Sequence, residues 1–233
     1  MTEYEQALLD HFGEFLTDRR QERLDEVLGL RTRHVTVVLM DLYQGHNASA
    51  VLRTCDAFGL QDVHIVEAQN EFSAHPEIAL GADRWLTMRR FDGRGAAETC
   101  RQDLHSRGYR NVAAVLHEDS VPVEKLSLEE PVALWFGTEK DGLPRGVIDA
   151  ADELVHVPMY GFVESLNVSV AAALCVQNLS TRLRSGDDDW HLSEAEQEVL
   201  RMEWVRKSVP NGKAIERRFR KEWNARQAEQ KLR

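Results

Sequence analysis

The feature of this 233-residue sequence that most constrains its fold is an alternation of short apolar segments with amphipathic helical segments between residues 34 and 184. Residues 34–40 (HVTVVLM) form a continuous run of apolar and β-branched residues, which predicts a strand buried on both faces. Strands that alternate with helices are typical of a parallel sheet covered by helices on both faces, so we expect an α/β fold. The further predicted strands are 63–67, 85–91, 111–116, 132–137 and 154–159, and the predicted helices are 48–58, 96–107, a short turn from Pro144, and 168–184.

Helical extensions are predicted on both sides of this central region. The acidic segment 185–190 (SGDDDW) is typical of a linker, and the turn residues Pro210-Asn211-Gly212 interrupt the helical pattern that follows it. The predicted helices of the extensions lie near 5–17, 17–28, 193–207 and 213–232. The chain is therefore divided into an N-terminal extension (1–33), a central domain (34–184) and a linker with C-terminal helices (185–233).

The charge is distributed unevenly along the chain. The formal net charge is −10, which by itself disfavours a nucleic-acid partner. The last 29 residues, however, carry about +7, so that residues 1–204 carry about −17. A basic arm on an acidic body indicates an anionic partner, although a solvated helix with i,i+4 ion pairs would have a similar composition. The candidate residues of this arm for binding a nucleic-acid partner are Arg206, Lys207, Lys213, Arg217, Arg218, Arg220 and Lys221.

Several common functional classes are disfavoured. The sequence contains no GxGxxG, GxxxxGK[ST], HExxH or GxSxG motif, which argues against an NAD-type oxidoreductase, a P-loop NTPase, a zincin and an α/β-hydrolase. Cys55, Cys100 and Cys175 lie far apart, so neither a disulfide framework nor a structural metal site is predicted. No signal peptide or membrane span is predicted either, and we expect a cytoplasmic protein without a membrane partner.

Three polar, glycine-containing segments follow predicted strands. The first, 45–59, contains Asn47 and Arg53. From the neighbouring residues alone, Asn47 is interpreted as a helix N-cap. Arg53 lies in an otherwise core-forming helix, and the same local evidence suggests a solvated side chain. The second, 136–144 (FGTEKDGLP), places Glu139 where a crevice is expected beyond the carboxyl ends of parallel strands. Its two glycines permit close backbone approach to a ligand.

The third segment, 157–176 (VPMYGFVESLNVSVAAALCV), leads from a strand into a helix of small residues. Either Ser165 or Asn167 is expected to cap that helix, and capping is compatible with ligand binding. Each of the three segments is also explained by an ordinary strand-to-helix connection. In this order and at these separations, however, they form a specific combination.

The three segments together resemble the signature motifs of the SpoU/TrmH branch of the SPOUT superfamily of RNA methyltransferases. The resemblance covers about residues 30–184 and holds at every motif position. The matching residues are Asn47, Arg53 and Gly59, then Phe136-Gly137-Thr138-Glu139 with Gly142-Leu143, then Pro158-Met159 and Ser165-Leu166-Asn167-Val168-Ser169.

The resemblance implies a fold, a cofactor and a dimer. The expected fold is SPOUT-like, with the parallel sheet ending in a C-terminal deep trefoil knot, a feature that general folding rules would not predict. The expected cofactor is S-adenosyl-L-methionine, with no metal, and the expected assembly is a homodimer formed through the knot region. The cofactor-binding residues implied are Leu116, Gly137, Thr138, Glu139, Val157, Met159 and Leu166.

The resemblance also implies methyl transfer to a ribose 2′-hydroxyl of RNA. Arg53 occupies the position of the family's catalytic arginine, and it would act either as an unusual base or as a stabiliser of the forming alkoxide. Asn47, Glu139, Ser165 and Asn167 would position Arg53, the cofactor and the target nucleotide.

The terminal extensions resemble those of the tRNA guanosine 2′-O-methyltransferase subgroup, which modifies guanosine 18 in the D-loop. The alternatives are another tRNA position, a ribosomal RNA substrate, or a non-catalytic RNA-binding protein that keeps the knot. The intact motif residues argue against loss of catalysis.

Overall fold

The computed structural model describes residues 1–42, 44–70, 79–138, 140–186 and 189–231. The chain forms two compact units: a terminal unit (residues 1–31 and 191–233) and a central unit (residues 32–190). The α-helices are α1 (Glu3–Gly13), α2 (Asp18–Gly29), α3 (Gly45–Ala57), α4 (Ala96–Ser106), α5 (Arg145–Asp149), α6 (Val168–Ser185), α7 (Glu194–Ser208) and α8 (Gly212–Lys231). The strands are β1 (Val35–Met40), β2 (Asp62–Glu67), β3 (Thr87–Asp92), β4 (Arg110–Ala114), β5 (Val121–Pro122), β6 (Val132–Phe136) and β7 (Glu153–His156).

The central unit is built on a seven-stranded sheet with the order β3-β2-β1-β6-β4-β7-β5, in which every strand pair is parallel. Strand β1 lies in the middle, and all six of its residues are buried, as its unbroken apolar sequence predicts. The expected parallel α/β sheet is therefore confirmed.

Helices cover both faces of the sheet. On one face, Val37 and Leu39 of β1 belong to a core with residues of α3 and α6. On the other, Val38 and Met40 pack with α4, and Trp135 of β6 lies in the same core. Alternate residues of one strand thus supply both cores, because successive side chains of a strand point to opposite faces. Full burial of one such aliphatic side chain contributes about 1.5–3 kcal/mol.

A buried polar network lies beside the start of β2. The Asp62 carboxylate is fully buried and accepts from Arg33 Nε (3.1 Å) and Arg107 Nη2 (2.9 Å). Arg107 Nη1 lies 3.2 Å from His64 Nε2, and because arginine only donates, His64 Nε2 must accept. The His64 proton is then on Nδ1, which faces Thr36 Oγ1 at 3.2 Å. Burial is the main cause that lowers the pKa of His64 to about 4, so the ring is neutral at physiological pH.

The terminal unit consists of helices from both ends of the chain. Thr2 and Ser193 form capping boxes at the starts of α1 and α7 with Glu5 and Glu196. Its buried apolar residues are Leu8, Phe12, Leu24, Leu28, Leu192, Leu200, Trp204, Val205 and Val209. The predicted break at Pro210-Asn211-Gly212 is confirmed, since Asn211 has a positive φ of 58° between α7 and α8.

Three local predictions are corrected, and one short strand was missed. Asn47 does not cap α3, because the helix begins two residues earlier at Gly45 with Gln44 as the N-cap residue. The strand predicted at 111–116 ends at Ala114, and the one predicted at 154–159 ends at His156. Leu116, Val157 and Met159 therefore follow strand ends, where the backbone is free of the ladder. The two-residue strand β5 was not predicted, because so short a pairing leaves no periodic signal.

The network around His64 predicts that stability falls in mild acid. An unfolded histidine takes up a proton near pH 6.5, whereas folded His64 does so only near pH 4. The unfolded state therefore binds more protons across this window, and the free energy of unfolding should fall by roughly 3 kcal/mol as the pH drops from 6.5 to 4. Chemical denaturation of the wild type and of His64→Gln across this range would measure the fall in the free energy of unfolding. The variant should lack the part of that fall that protonation of His64 causes. His105→Gln, at an exposed site on α4, is the control and should keep the wild-type slope.

Candidate functional site

A cleft of about 430 Å³ lies at the carboxyl ends of β4, β6 and β7. In a parallel α/β sheet this edge is where ligands bind, because the connections leave a crevice beyond the strand ends. Its lining residues lie within stretches that are far apart in sequence: 114–116, 136–138, 140–143, Ile148, 155–159 and 164–175. Six of the seven residues that the sequence assigned to the cofactor line this one cleft: Leu116, Gly137, Thr138, Val157, Met159 and Leu166. The seventh, Glu139, lies outside the described residues.

The loop after β6 closes tightly on itself beside the cleft. Thr138 N–H donates to the Gly142 carbonyl (3.2 Å), and Gly142 N–H donates to the Thr138 carbonyl (3.1 Å). Thr138 Oγ1 also accepts from Asp141 N–H at 3.0 Å. Gly142 has a φ of +66°, which glycine adopts without strain. A Cβ on Gly137 would lie 2.2 Å from the carbonyl carbon and oxygen of Gly142, so only glycine fits this close approach.

A hydrogen bond joins the first and third motifs. Asn167 Nδ2 donates to Asn47 Oδ1 at 3.2 Å, although the two residues are 120 positions apart. Asn167 Oδ1 meanwhile accepts from Ser169 N–H (2.9 Å) and Ser169 Oγ (2.6 Å), so Asn167 is the N-cap of α6, one of the two residues expected there. Asn47 is 8% exposed, and its own amide donates to Gln44 Oε1 at 3.3 Å. Both asparagine side chains are thereby fixed in orientation.

The other predicted catalytic residues are placed differently. Ser165 is exposed and lines the cleft. Arg53 is exposed on α3, and it makes no hydrogen bond or ion pair with any residue that the structure describes. It lies six residues, about 9 Å along the helix axis, from Asn47. Asn47 and Asn167 are thus in contact, Ser165 joins the cofactor residues, and Arg53 has no direct link to these three.

His156 is a cleft residue that the sequence did not single out. Ser120 Oγ donates to the His117 carbonyl (2.6 Å) and lies 2.8 Å from His156 Nδ1, so it accepts from the Nδ1 proton. With the proton on Nδ1 in this hydrogen bond, a neutral imidazole has Nε2 as its acceptor atom. His156 directly precedes Val157 of the third motif, and this position could have predicted a place in the cleft. It was not singled out because the nine histidines of the chain are scattered and show no clustering. The charged residues Lys140, Asp141 and Glu164 also line the cleft without having been predicted.

Cysteine and metal chemistry receive no support at this cleft. Cys175 lies against it, but burial raises the pKa of its thiol to about 12, so the sulfur stays protonated and weakly nucleophilic. Within the described part of the chain, no group of His, Cys, Asp and Glu side chains is arranged to hold a metal ion.

Of the helices that the structure describes, none combines the length and the apolar composition that a membrane-spanning helix needs.

The cleft is not the largest cavity of the protein. One of about 830 Å³ lies within the terminal unit between α1, α2 and α7. Two ion pairs border it, from the Met1 amine to Glu198 and from Arg201 to Asp25. It receives no strand ends and none of the motif residues, so the smaller cleft is the better candidate for chemistry.

Comparison with known proteins agrees with the motif assignment. Residues 34–177 match the model of the SpoU rRNA Methylase family. The chain is 40% identical to the tRNA (guanosine(18)-2'-O)-methyltransferase of Borreliella burgdorferi over 204 residues, which cover 88% of this chain and 92% of that protein. It is similar in structure to the TrmH/SpoU tRNA modifying enzyme of Aquifex aeolicus, with a TM-score of 0.73 and 27% identity over 83% of this chain and 98% of that one. An AdoMet-bound rRNA methyltransferase of Sinorhizobium meliloti shares the fold, with a TM-score of 0.56 and 23% identity over 69% of this chain and 60% of that one.

The close approach at Gly137 predicts different outcomes for two glycine substitutions. Gly137→Ala forces the backbone at Gly142 to move and should lower the free energy of unfolding by about 1–3 kcal/mol. Gly146→Ala, within α5, meets nothing within 4 Å and should be neutral or stabilising by up to about 1 kcal/mol. Urea denaturation of both variants measures the difference, and equal stability would contradict the packing at Gly137.

Proposed function

Because the chain belongs to the SpoU methylase family, we propose that it is an S-adenosyl-L-methionine-dependent 2′-O-methyltransferase that modifies guanosine 18 of tRNA. The observation that carries the choice of RNA is the extent of the likeness to the guanosine-18 enzyme. Its 204 matched residues exceed the span Thr32–Trp190, so the likeness reaches beyond the central unit into the terminal helices. A cytoplasmic location accords with a tRNA substrate.

The cleft suits S-adenosyl-L-methionine in size and chemistry. Its volume lies within the ordinary range for small-molecule sites. Leu116, Val157 and Leu166 offer apolar surface for the adenine ring, and the acids Asp141 and Glu164 complement the positive charges of the cofactor's ammonium and sulfonium groups. Backbone amides of the 137–142 loop can approach a ligand closely because glycines begin and end it. The bound cofactor would supply a methyl group already activated on a sulfonium, so no metal is needed.

Arg53 is proposed as the catalytic residue. A ribose 2′-hydroxyl is a weak nucleophile and requires either a proton acceptor or a cation that stabilises the forming alkoxide. An exposed arginine that no described residue pairs with is available to an RNA ligand in either role. Because arginine is almost always protonated, the choice between the two roles depends on its surroundings in the complex.

The remaining motif residues are proposed to orient the reactants. The bond from Asn167 to Asn47 fixes both amides at the entrance of α6 and the first turn of α3. Ser165, beside Leu166 in the cleft, would contact the target nucleotide or the methionine end of the cofactor. Glu139 is included among these positioning residues on the resemblance alone. Holding the hydroxyl oxygen, the methyl group and the sulfur in line accounts for much of the rate in a reaction with so activated a group.

A deep trefoil knot and a homodimer complete the proposal. Supporting the knot, β4 lies between the later strands β6 and β7, and residues that follow β6 (137–138 and 140–143) and β7 (Val157, Met159 and 164–166) line the same cleft. Supporting the dimer, large apolar side chains are exposed close together in sequence around the third motif. Contiguous exposed apolar surface commonly marks an interface. These residues are Tyr160, Phe162, Val163, Val170 and Leu174.

The proposed function is tested by mapping methylation on a complete tRNA pool. Purified protein with labelled S-adenosyl-L-methionine should place 2′-O-methylguanosine at position 18, identified by nuclease digestion and mass spectrometry. A ribosomal RNA panel is run in parallel. Methylation of ribosomal RNA alone would transfer the assignment to the ribosomal alternative, and labelling of neither RNA would reject it.

Replacement of Arg53 separates catalysis from binding. Arg53 is exposed and makes no hydrogen bond or ion pair with the described residues, so the free energy of unfolding of Arg53→Ala should change by less than about 0.5 kcal/mol. The methylation rate at saturating tRNA should fall by about 10²–10⁴-fold, while tRNA affinity changes little. Arg94→Ala is the matched control, because Arg94 is also exposed and lies in the turn between β3 and α4. Equal activity of the two variants would remove Arg53 from the catalytic role.

The proposed dimer is tested at the exposed face of α6. A double substitution Val170→Arg and Leu174→Arg places two cations on one face of the helix and should shift the protein from dimer to monomer in sedimentation velocity. Val199→Arg, at an exposed apolar site on α7, should leave the dimer intact. A monomeric wild type would refute the dimer directly.

A further inference from the structure

Three cations of α8 form a row that we call the basic stripe: Lys213, Arg217 and Lys221. They recur every four residues, about 6 Å apart along the helix axis, so they lie on one side of the helix. All three are exposed. None of them forms an ion pair or hydrogen bond with the residues that the structure describes.

The other four basic residues predicted to bind RNA are engaged within the terminal unit. Arg206 and Arg220 both pair with Glu216, at 2.9 Å and 3.1 Å. The remaining pairs are Lys207 with Glu203 and Arg218 with Glu222. Arg220 Nε also donates to the Tyr4 hydroxyl. The seven cations therefore fall into two groups that composition alone does not distinguish.

The basic stripe is not needed to hold α8 in place. The opposite side of the helix carries Phe219 and Trp223, whose rings contact α1. Phe219 stacks on His11 with ring centroids 4.9 Å apart, and Trp223 packs edge-on against Tyr4 at 5.8 Å. With its aromatic side used for packing, α8 presents the stripe away from α1.

The stripe is also unfavourable for the helix that carries it. Cations near a helix N-terminus oppose the helix dipole, and Lys213 stands in the first turn of α8, which contains no acidic residue. The helices α1 and α7, which begin with capping boxes, both have acids in that turn. Like charges four residues apart repel each other as well. Cations that destabilise their own helix in this way are expected at functional sites, where a bound anion would neutralise their charge.

We propose that the basic stripe binds consecutive phosphates along one strand of the RNA, while Lys207, Arg218 and Arg220 serve the fold of the terminal unit. This rests on the proposed function, which supplies an RNA substrate. Anionic phosphates provide the charge that the stripe lacks in the free protein. Contacts to the backbone would hold the tRNA in register without reading its sequence.

Two triple variants of the full-length protein, with the same change in net charge, test the proposal. The stripe variant is Lys213→Gln, Arg217→Gln and Lys221→Gln. The paired-cation variant is Lys207→Gln, Arg218→Gln and Arg220→Gln. For each protein, the tRNA dissociation constant is measured between 50 and 300 mM salt (roughly the range in which counterion release dominates), together with the thermal unfolding midpoint.

The stripe variant should bind tRNA at least about tenfold more weakly at physiological salt, with the slope of log K against log salt reduced by about 2–3. Its unfolding midpoint should stay the same or rise, because repulsion is removed. The paired-cation variant should keep most of the wild-type slope and unfold at a lower temperature. Equal loss of slope in the two variants would overturn the proposal, since overall charge would then explain binding.

Two further outcomes separate the proposal from the function on which it rests. If the wild type neither binds nor methylates tRNA, the proposed function fails. If the wild type methylates tRNA and the stripe variant binds it unchanged, only the stripe proposal fails. Wild-type binding to vesicles of phosphatidylserine and phosphatidylcholine, lost in the stripe variant while tRNA affinity is kept, would assign the stripe to a membrane surface and overturn the proposal as well.

Discussion

The pairing of β1 with β2 on one side and β6 on the other is the constraint on which the rest of the central unit depends. Five registered pairs join β1 to β6, although their first residues are almost a hundred positions apart. Both faces of β1 are buried, so a shift of its register by one residue would exchange the two cores. This fixed strand brings the connections after β1, β6 and β7 to the same edge of the sheet. The motif segments 45–59, 136–144 and 157–176 lie in those connections.

The candidate site is held largely by the backbone and by two asparagines. The loop after β6 is closed by backbone hydrogen bonds between Thr138 and Gly142. Because Gly137 has no side chain, its backbone can lie against that of Gly142. Asn167 links the cap of α6 to Asn47 on α3. Arg53 is left without an internal partner among the described residues. Arg53 is an exposed cation outside these fixed contacts, which accords with a reaction in which placement matters more than acid–base strength.

Pairing with glutamates divides the cations of the terminal unit into two groups. The unit's helices from the two chain ends pack through buried apolar residues and aromatic rings. Glutamates compensate some of the cations, whereas the basic stripe stays uncompensated. The net charge of −10 describes neither group, because attraction to RNA depends on the local arrangement of unpaired charge.

Local sequence signals were sufficient for most of the secondary structure. The unbroken apolar run at 34–40 predicted β1, and the helices 96–107 and 168–184 were placed within one residue of their observed ends. Asn47 is instructive as an error. Its residue type predicted a helix cap, but the helix begins earlier, at Gly45. The Asn47 side chain instead accepts a hydrogen bond from Asn167. Likewise, His156 was not predicted as a cleft residue. Its ring is oriented by a hydrogen bond to Ser120, a contact that exists only in the folded chain.

The sequence by itself determined the class of fold, the positions of its elements and the family motifs, because hydrophobic periodicity, helix-ending glycines and motif spacing are properties of neighbouring residues. Only the tertiary structure decided which strand ends share a cleft, that the two chain ends form one unit, and which basic residues are paired. Each of these depends on contacts between residues far apart in the chain, and a local pattern carries no record of such contacts.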